Sequence, residues 1–466
     1  MLECRRPIVN FTVFTILINI VLMKMGGHQS RSVSLPGEEV NFNHFQVLRA
    51  IGKGSFGKVC IVKKGEHSGE MYAMKYMHKT ECAMRGALKN VAREVEIMSK
   101  LEHPFLVNLW FSFQDEEDFF MVTDLLLGGD LRYHIQQQVR FSEESVILFI
   151  AEIALALDYL KSKKIIHRDI KPDNILLDEE GHAHVADFNV ATMLEDNELA
   201  TSMSGTKPYI GELSFPRSAP EIYMCSCEAY GVHGYGYSVD WWSLGVLAWE
   251  ALEGVRPFPI HSGTSSREAL RIMQASDYRP VFSSKWSVPM SQLLDSLLTY
   301  ESKKRTASLQ QLQQAKAMNH LDFDKVLCKK IKPKFTPSKS HLNCDPTFEL
   351  EEMIIEERPL HKKKKRLAKQ RSLKSQDPEN QIEQFPANGL GINVLTDPTS
   401  LAFIPEYPVY NRARELEQRQ KEEKEKQWEE ELKLAMAEAE SKLKRLSGAT
   451  SSDIDFIDAS PEVSTS

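Results

Sequence analysis

The first legible feature of the chain is a change of period. Val59-Cys60-Ile61-Val62 and Met71-Tyr72-Ala73-Met74 are short apolar, partly β-branched runs of strand character, and they flank the turn signal Glu66-His67-Ser68-Gly69. Farther on, Val146, Phe149, Ile150, Ile153, Leu157 and Leu160 recur at helical spacing over residues 142–161, with Ser142 placed to cap the helix. Residues 90–100 also read as helix. A strand-rich front followed by a helical rear predicts an α+β chain of two lobes over residues 45–321.

The flanks read differently. Residues 1–44 form a leader, in which Arg5 and Arg6 precede an apolar run over 8–23 that is shorter than the roughly 20 residues of a bilayer span. Translation from Met25 would expose Gly26 in an N-myristoylation pattern. Residues 322–370 form a tail containing the basic block His361-Lys362-Lys363-Lys364-Lys365-Arg366, and 371–411 read as a linker. Residues 412–446 predict a solvated helix with pairs such as Glu422 and Lys426, and 447–466 read as disordered.

A net charge of −7 excludes a chain-wide nucleic-acid footprint, and no nucleic-acid partner is expected. Seven cysteines, an odd number in a long chain, argue for reduced thiols and a cytoplasmic location rather than a disulfide framework. Cys225 and Cys227 lack a second ligand pair, so no zinc site is expected.

Gly52-Lys53-Gly54-Ser55-Phe56-Gly57-Lys58-Val59, following Ile51, lies between two apolar runs and therefore on a strand-turn-strand. Its glycines let the backbone approach phosphate oxygens closely. Alone the pattern is weak, since glycine hairpins are common. Lys75 ends the following strand, where it can hold phosphates, and Glu94 in the helical stretch can orient it; Glu96 lies on another face. The most specific segment is His167-Arg168-Asp169-Ile170-Lys171-Pro172-Asp173-Asn174. Phosphoryl transfer needs a carboxylate near the incoming hydroxyl, a cation near the transferring group and an oxygen ligand for magnesium. Asp169, Lys171 and Asn174 supply these in turn, and Asp187 in Asp187-Phe188-Asn189 supplies a second metal ligand.

With these motifs in this order, the chain resembles an AGC-type serine/threonine protein kinase and is most similar to the YANK branch. That branch shares Asp-Phe-Asn, Asp124-Leu125-Leu126-Leu127-Gly128-Gly129-Asp130, Gly205-Thr206-Lys207-Pro208-Tyr209 and the tail segment Asn343-Cys344-Asp345-Pro346-Thr347-Phe348. The resemblance implies a bilobal kinase fold that transfers the γ-phosphoryl group of ATP to protein hydroxyls with Mg2+, or alternatively Mn2+. It implies Asp124 to Leu126 as the adenine-binding hinge, Thr123 as gatekeeper, Asp130 as a ribose contact and Ser202 as an activation-loop phosphosite. It also gives Tyr407-Pro408-Val409-Tyr410 the spacing of a tail motif that docks on the small lobe.

Two departures from the pattern qualify the reading. Asn189 stands where kinases usually have glycine, which leads us to expect left-handed or bridge-region backbone there. Residues 211–218 interrupt the approach to Ala219-Pro220-Glu221, and an insertion at that point is expected to disturb the floor that presents the acceptor. A nucleotide-binding pseudokinase or scaffold is therefore the alternative to an active enzyme. The expected partners are protein substrates, ATP and, through Gly26 acylation together with the basic block, a membrane surface at the cell periphery.

Overall fold

A computed structural model describes residues 39–53, 57–65, 69–195, 198–201, 217–227, 230–261, 263–275, 282–350, 354, 360–366 and 407–449. Met1–Val40 is a unit by itself, and the elements below belong to the second unit, Asn41–Ser466. In its front part, β1 (Phe45–Lys53), β2 (Lys58–Lys64) and β3 (Met71–His78) form an antiparallel meander. Helix α1 (Leu88–Ser99) follows, then β4 (Leu109–Gln114) and β5 (Asp118–Thr123). The sheet runs β1-β2-β3-β5-β4, so β5 is internal and is buried from Asp118 to Val122. Helix α1 buries Leu88, Val91, Glu94, Val95 and Met98, a stripe that puts Glu94 on the face turned inward.

The rear part is helical. Helix α2 (Glu143–Ser162) starts where the sequence predicts, with the Ser142 hydroxyl accepting the Ser145 N–H at 3.2 Å. Two short antiparallel pairs follow. In one, β6 (Ile165–Ile166) meets β9 (Thr192–Met193); in the other, β7 (Ile175–Leu177) meets β8 (Ala183–Val185). Between them run the loops that carry the motif residues. Helix α3 (Pro220–Cys225) precedes α4 (Ser238–Glu253), in which every residue from Val239 to Ala251 is buried. A helix apolar on all sides belongs in a core, and α4 ends at Gly254 in the left-handed conformation (φ 78°) that glycine adopts without strain. The bilobal α+β expectation holds.

After the helical lobe the chain returns to the sheet. The Asn343 amide donates to the Leu127 carbonyl at 3.0 Å, and the Asn343 backbone oxygen lies so near Gly129 (φ 74°) that a β-carbon there would approach it to 2.1 Å. Lys363 is fully buried against the β4–β5 turn, 2.8 Å from Asp115 and 3.7 Å from Glu117, and also pairs with Asp118. The tail then supplies β10 (Tyr410–Asn411), which covers the open edge of β4 with Tyr410 opposite Ser112. Tyr407 is buried against Phe119 and donates its hydroxyl to the Phe120 carbonyl at 3.0 Å. Helix α5 (Arg412–Ala449) leaves from that point.

Arg305 ties the helical lobe together. It is buried and donates to both oxygens of Glu221, at 2.6 and 2.9 Å, and to the carbonyls of Thr299, Ser238 and Tyr300. Removing one member of such a pair leaves the other charge buried and unpaired. Arg305→Met is expected to cost about 3–5 kcal/mol, measured by chemical denaturation, and a loss below about 1 kcal/mol would mean that Glu221 finds water.

Candidate active site

Three stretches that are far apart in sequence converge beneath the sheet. Lys75 on β3 donates to Glu94 of α1 at 2.7 and 3.1 Å, and its ammonium stands 3.5 Å from the Asp187 carboxylate. Burial alone would lower the Lys75 pKa, but the two flanking carboxylates outweigh it and hold the ammonium above the ordinary lysine value. Burial likewise pushes Asp187 upward, yet the charges of Lys75 and Lys171 hold it below the ordinary carboxylate range. Burial pushes Glu94 above the ordinary carboxylate pKa, with Lys75 opposing it, and the cation that can meet phosphates is already oriented.

Asp240 of α4 fixes the loop below. Its buried carboxylate accepts the backbone N–H of His167 at 2.9 Å and of Arg168 at 2.8 Å. Arg168 is thereby held at φ 67°, and its guanidinium donates to the Val190 carbonyl at 2.7 Å. Asp169 accepts from Lys171 at 2.7 Å and from the Asn174 amide nitrogen at 2.9 Å. Burial raises Asp169 above the ordinary carboxylate pKa, with Lys171 opposing it, which suits a group that must take a proton. His167 is buried under Phe188 at 4.9 Å between ring centres and is held neutral by that burial.

Asn174 turns its amide nitrogen to Asp169, so the carbonyl oxygen is the end that remains for a cation. Among the described residues no group of three or more His, Cys, Asp or Glu is arranged around a metal position. One carboxylate and one amide oxygen fit Mg2+, which is held by few protein ligands and takes its other oxygens from phosphate and water.

At the hinge, the Asp124 carboxylate is turned away from the cleft and accepts from Trp110 at 2.6 Å and Asn108 at 2.9 Å. Any adenine contact from Asp124 would therefore come from backbone. Asp130 caps the helix that starts at Leu131, accepting the Tyr133 N–H at 2.7 Å, and burial raises its pKa to about 6. A β-carbon at Gly52 would make ordinary contact with Val59 at 3.7 Å, whereas one at Gly57 would come within 2.3 Å of the Tyr76 carbonyl, so Gly57 is needed for packing on β3. Ile51, Lys53, Lys58 and Val59 lie on β1 and β2 beside these glycines. Gly54, Ser55, Phe56, Ser202, Thr206, Gly26 and residues 211–216 lie outside the described residues.

The geometry corrects one expectation. Asn189 does not have positive φ; the left-handed residue of the Asp-Phe-Asn turn is Asp187, at φ 64°. Aspartate shares asparagine's tolerance for that region, and the ion pair with Lys75 fixes it there. Asn343 and Lys363 lie in segments that the sequence singles out, and Arg412 opens the predicted charged helix, but nothing in the sequence marks their partners, which lie far away in the chain.

A protein kinase domain model matches residues 45–318, more than half of the chain. The mouse serine/threonine-protein kinase 32C is 56% identical over 346 residues, covering 74% of this chain and 68% of its own. The chain belongs to the YANK branch of the AGC-type serine/threonine protein kinases. The human serine/threonine-protein kinase 32B is likewise 56% identical, over 350 residues, with 75% of this kinase and 81% of the relative covered. A more distant relative, protein kinase 2 of Dictyostelium discoideum, is 35% identical over 322 residues. This kinase transfers phosphoryl groups from ATP to protein serine or threonine, and the assembled Lys75–Glu94 and Asp169–Lys171 pairs lend no support to a pseudokinase. Among the described residues no helix is long and apolar enough to cross a membrane, and six cysteines are free.

Asn189 has a further property: its side-chain oxygen is buried without a hydrogen-bond partner. Leaving such an acceptor unmet costs about 1–3 kcal/mol. Asn189→Ala is therefore expected to raise the melting temperature, and Asn189→Val should carry no left-handed penalty. Calorimetry of both variants tests this, and a marked fall in Tm for the alanine variant would show that the amide has a stabilising contact.

Proposed function

We propose that Asp169 accepts the proton of the acceptor hydroxyl, that Lys171 faces the transferring phosphoryl group, and that Lys75, oriented by Glu94, holds the α- and β-phosphates. The observation that carries this reading is the simultaneous closure of both ion pairs, Lys75 with Glu94 and Lys171 with Asp169, each at 2.7 Å. Asp187 and Asn174 would hold Mg2+, which when bound supplies charge neutralisation for the phosphates. The hinge backbone at Asp124 and Leu126 holds adenine, and Asp130 meets the ribose, on this reading. The strands on either side of Gly52 and Gly57 cover the phosphates. Ser202 serves as the activation-loop phosphosite.

Because catalysis here is positioning and charge stabilisation, single side chains matter greatly. The location proposed for the enzyme is cytoplasmic, with Gly26 acylated as a membrane signal only in protein initiated at Met25, since in the full chain the Gly26 amine lies in a peptide bond. The basic block contributes less than its composition suggests, since Lys363 is buried in the sheet lobe and Arg366 pairs with Glu117 at 3.3 Å.

Lys75→Met and Asp169→Asn are each expected to lower transfer to peptide by at least about a hundredfold; Asp169→Asn should leave the melting profile unchanged, whereas Lys75→Met, which leaves Glu94 buried and unpaired, should also lower it. Radiolabel transfer from ATP within a few-fold of the parent for both variants would refute the assignment. Removing Mg2+ with a chelator should have the same effect on transfer and leave the fold unchanged. A pH profile separates Asp169 from its neighbours. Its folded pKa is raised, so activity is lost as pH falls through that value. Lys171 opposes the rise, so Lys171→Met should move the acid limb of kcat to higher pH. An unmoved limb would show that another group titrates.

A further inference from the structure

Strand β4 opens on an irregularity. Leu109 lies opposite Thr123 and Phe111 opposite Val122, so Trp110 is an extra residue between them, a bulge in the pairing with β5. A bulge re-aims a side chain. Here the Trp110 indole donates to one oxygen of Asp124 at 2.6 Å, while Tyr72 of β3 meets the ring edge-on with centres 5.8 Å apart. Asn108 occupies the other oxygen, through its backbone N–H at 3.0 Å and its amide at 2.9 Å, and its carbonyl accepts the Asp124 N–H at 3.1 Å. Asp124 is thus fixed from the start of β4, on both its side chain and its backbone.

The tail grips the same stretch. Arg412, buried where α5 begins, donates to the carbonyls of Leu101 and Leu109 at 3.5 Å each, so one guanidinium bridges the two ends of the loop that carries Asn108. It also meets Glu102 at 3.0 Å and lies over the Trp110 ring, 5.5 Å from its centre. Tryptophan is the ring that attracts a cation most strongly. None of these side chains takes part in the phosphoryl chemistry above. Their shared end point is Asp124, whose backbone N–H is taken by Asn108 and whose carbonyl, beside the Thr123 hydroxyl at 3.3 Å, keeps a lone pair for a ligand donor.

We propose that Trp110 is a positioning residue for the adenine base, and that Arg412, by holding Trp110, makes base recognition depend on the docked tail. This rests on the reading of Asp124 as the first residue of the hinge. A hydrogen bond to a base weakens steeply once its acceptor is displaced or misaligned, and the Asp124 carbonyl stands where the bonds from Trp110 and Asn108 put it. Bracing of α1 is a different consequence of the tail and would change transfer from any nucleotide alike. The route through Trp110 acts on one group, the amino group of adenine.

The test uses the full-length kinase with ATP and with purine riboside triphosphate, which lacks only the amino group of adenine. The parent should prefer ATP by about tenfold in kcat/KM, the value of one hydrogen bond of about 1.4 kcal/mol. Trp110→Phe keeps a ring beneath Arg412 but removes the N–H. It should raise KM for ATP by about tenfold, leave kcat and the KM for purine riboside triphosphate near the parent's, and erase the preference. Arg412→Gln should move KM for ATP the same way by about threefold, the scale of one cation–π contact. Glu102 keeps Arg419 at 3.1 Å in that variant, so no charge is stranded, and it decides the matter if Trp110→Phe does not fold. The double variant should show the KM of Trp110→Phe alone, because both substitutions act on one path. A full ATP preference in both single variants, or a double variant whose KM rises by the product of the two, would overturn the proposal. A parent that treats the two nucleotides alike would overturn the hinge reading, and the proposal with it.

Discussion

A charge taken out of water must find a partner, and in this kinase that rule organises the site. Lys75 is the centre of it. Its ammonium is enclosed by β3, α1 and the Asp187 turn, and it remains charged only because Glu94 and Asp187 reach it from two other stretches of chain. The converse also holds: burial pushes Glu94 and Asp187 toward the neutral form, and Lys75 opposes it in both. Sheet, helix and loop are therefore bound to a single arrangement by one ammonium group, and that arrangement is the one in which phosphates can be met.

The same device recurs away from the chemistry. Arg305 with Glu221 fastens α3 to the end of the helical lobe, and Lys363 with Asp115 and Asp118 fastens the tail to the β4–β5 turn. Asp118 shows how these pairs work: burial would raise its pKa, but His78 and Lys363 together keep it below the ordinary range. Such pairs add little net stability compared with apolar packing of equal volume, but they are costly to break on one side. They therefore act chiefly as locks on geometry, which is what positioning catalysis requires.

How much of this the sequence reveals depends on how local the information is. His167 to Asn174 was legible because the whole constellation lies within one loop, and Glu94 because helical spacing separates it from Glu96. The Ser142 cap and the two-lobed order followed from periodicity alone. Asn189 was misread because the Asp-Phe-Asn turn offers two residues of equal left-handed tolerance, and the choice between them is made by Lys75, which a local reading does not place. The partners of Asn343, Lys363 and Arg412 were illegible for the same reason, since no repeat or period marks where a side chain's distant partner lies.

The tail is where locality fails most and where the consequence is greatest. Helix α1 carries Glu94, so anything that holds α1 against the sheet also holds Lys75. Tyr407 fills the space beside Phe119 and joins the same apolar core as Val91, Val95 and Met98 of α1, while its hydroxyl is satisfied by the Phe120 carbonyl. Arg412, the first residue of α5, pairs with Glu102 at 3.0 Å just beyond the end of α1 and lies over Trp110 of β4. Beta pairing at Tyr410, apolar filling at Tyr407 and an ion pair at Arg412 thus reach both the sheet and the neighbourhood of α1 from one short segment. None of the three contacts touches the nucleotide site. Together they limit how far α1 can swing outward, and with it the distance between Glu94 and Lys75, so the tail belongs to the same positional system as the buried ammonium it never meets.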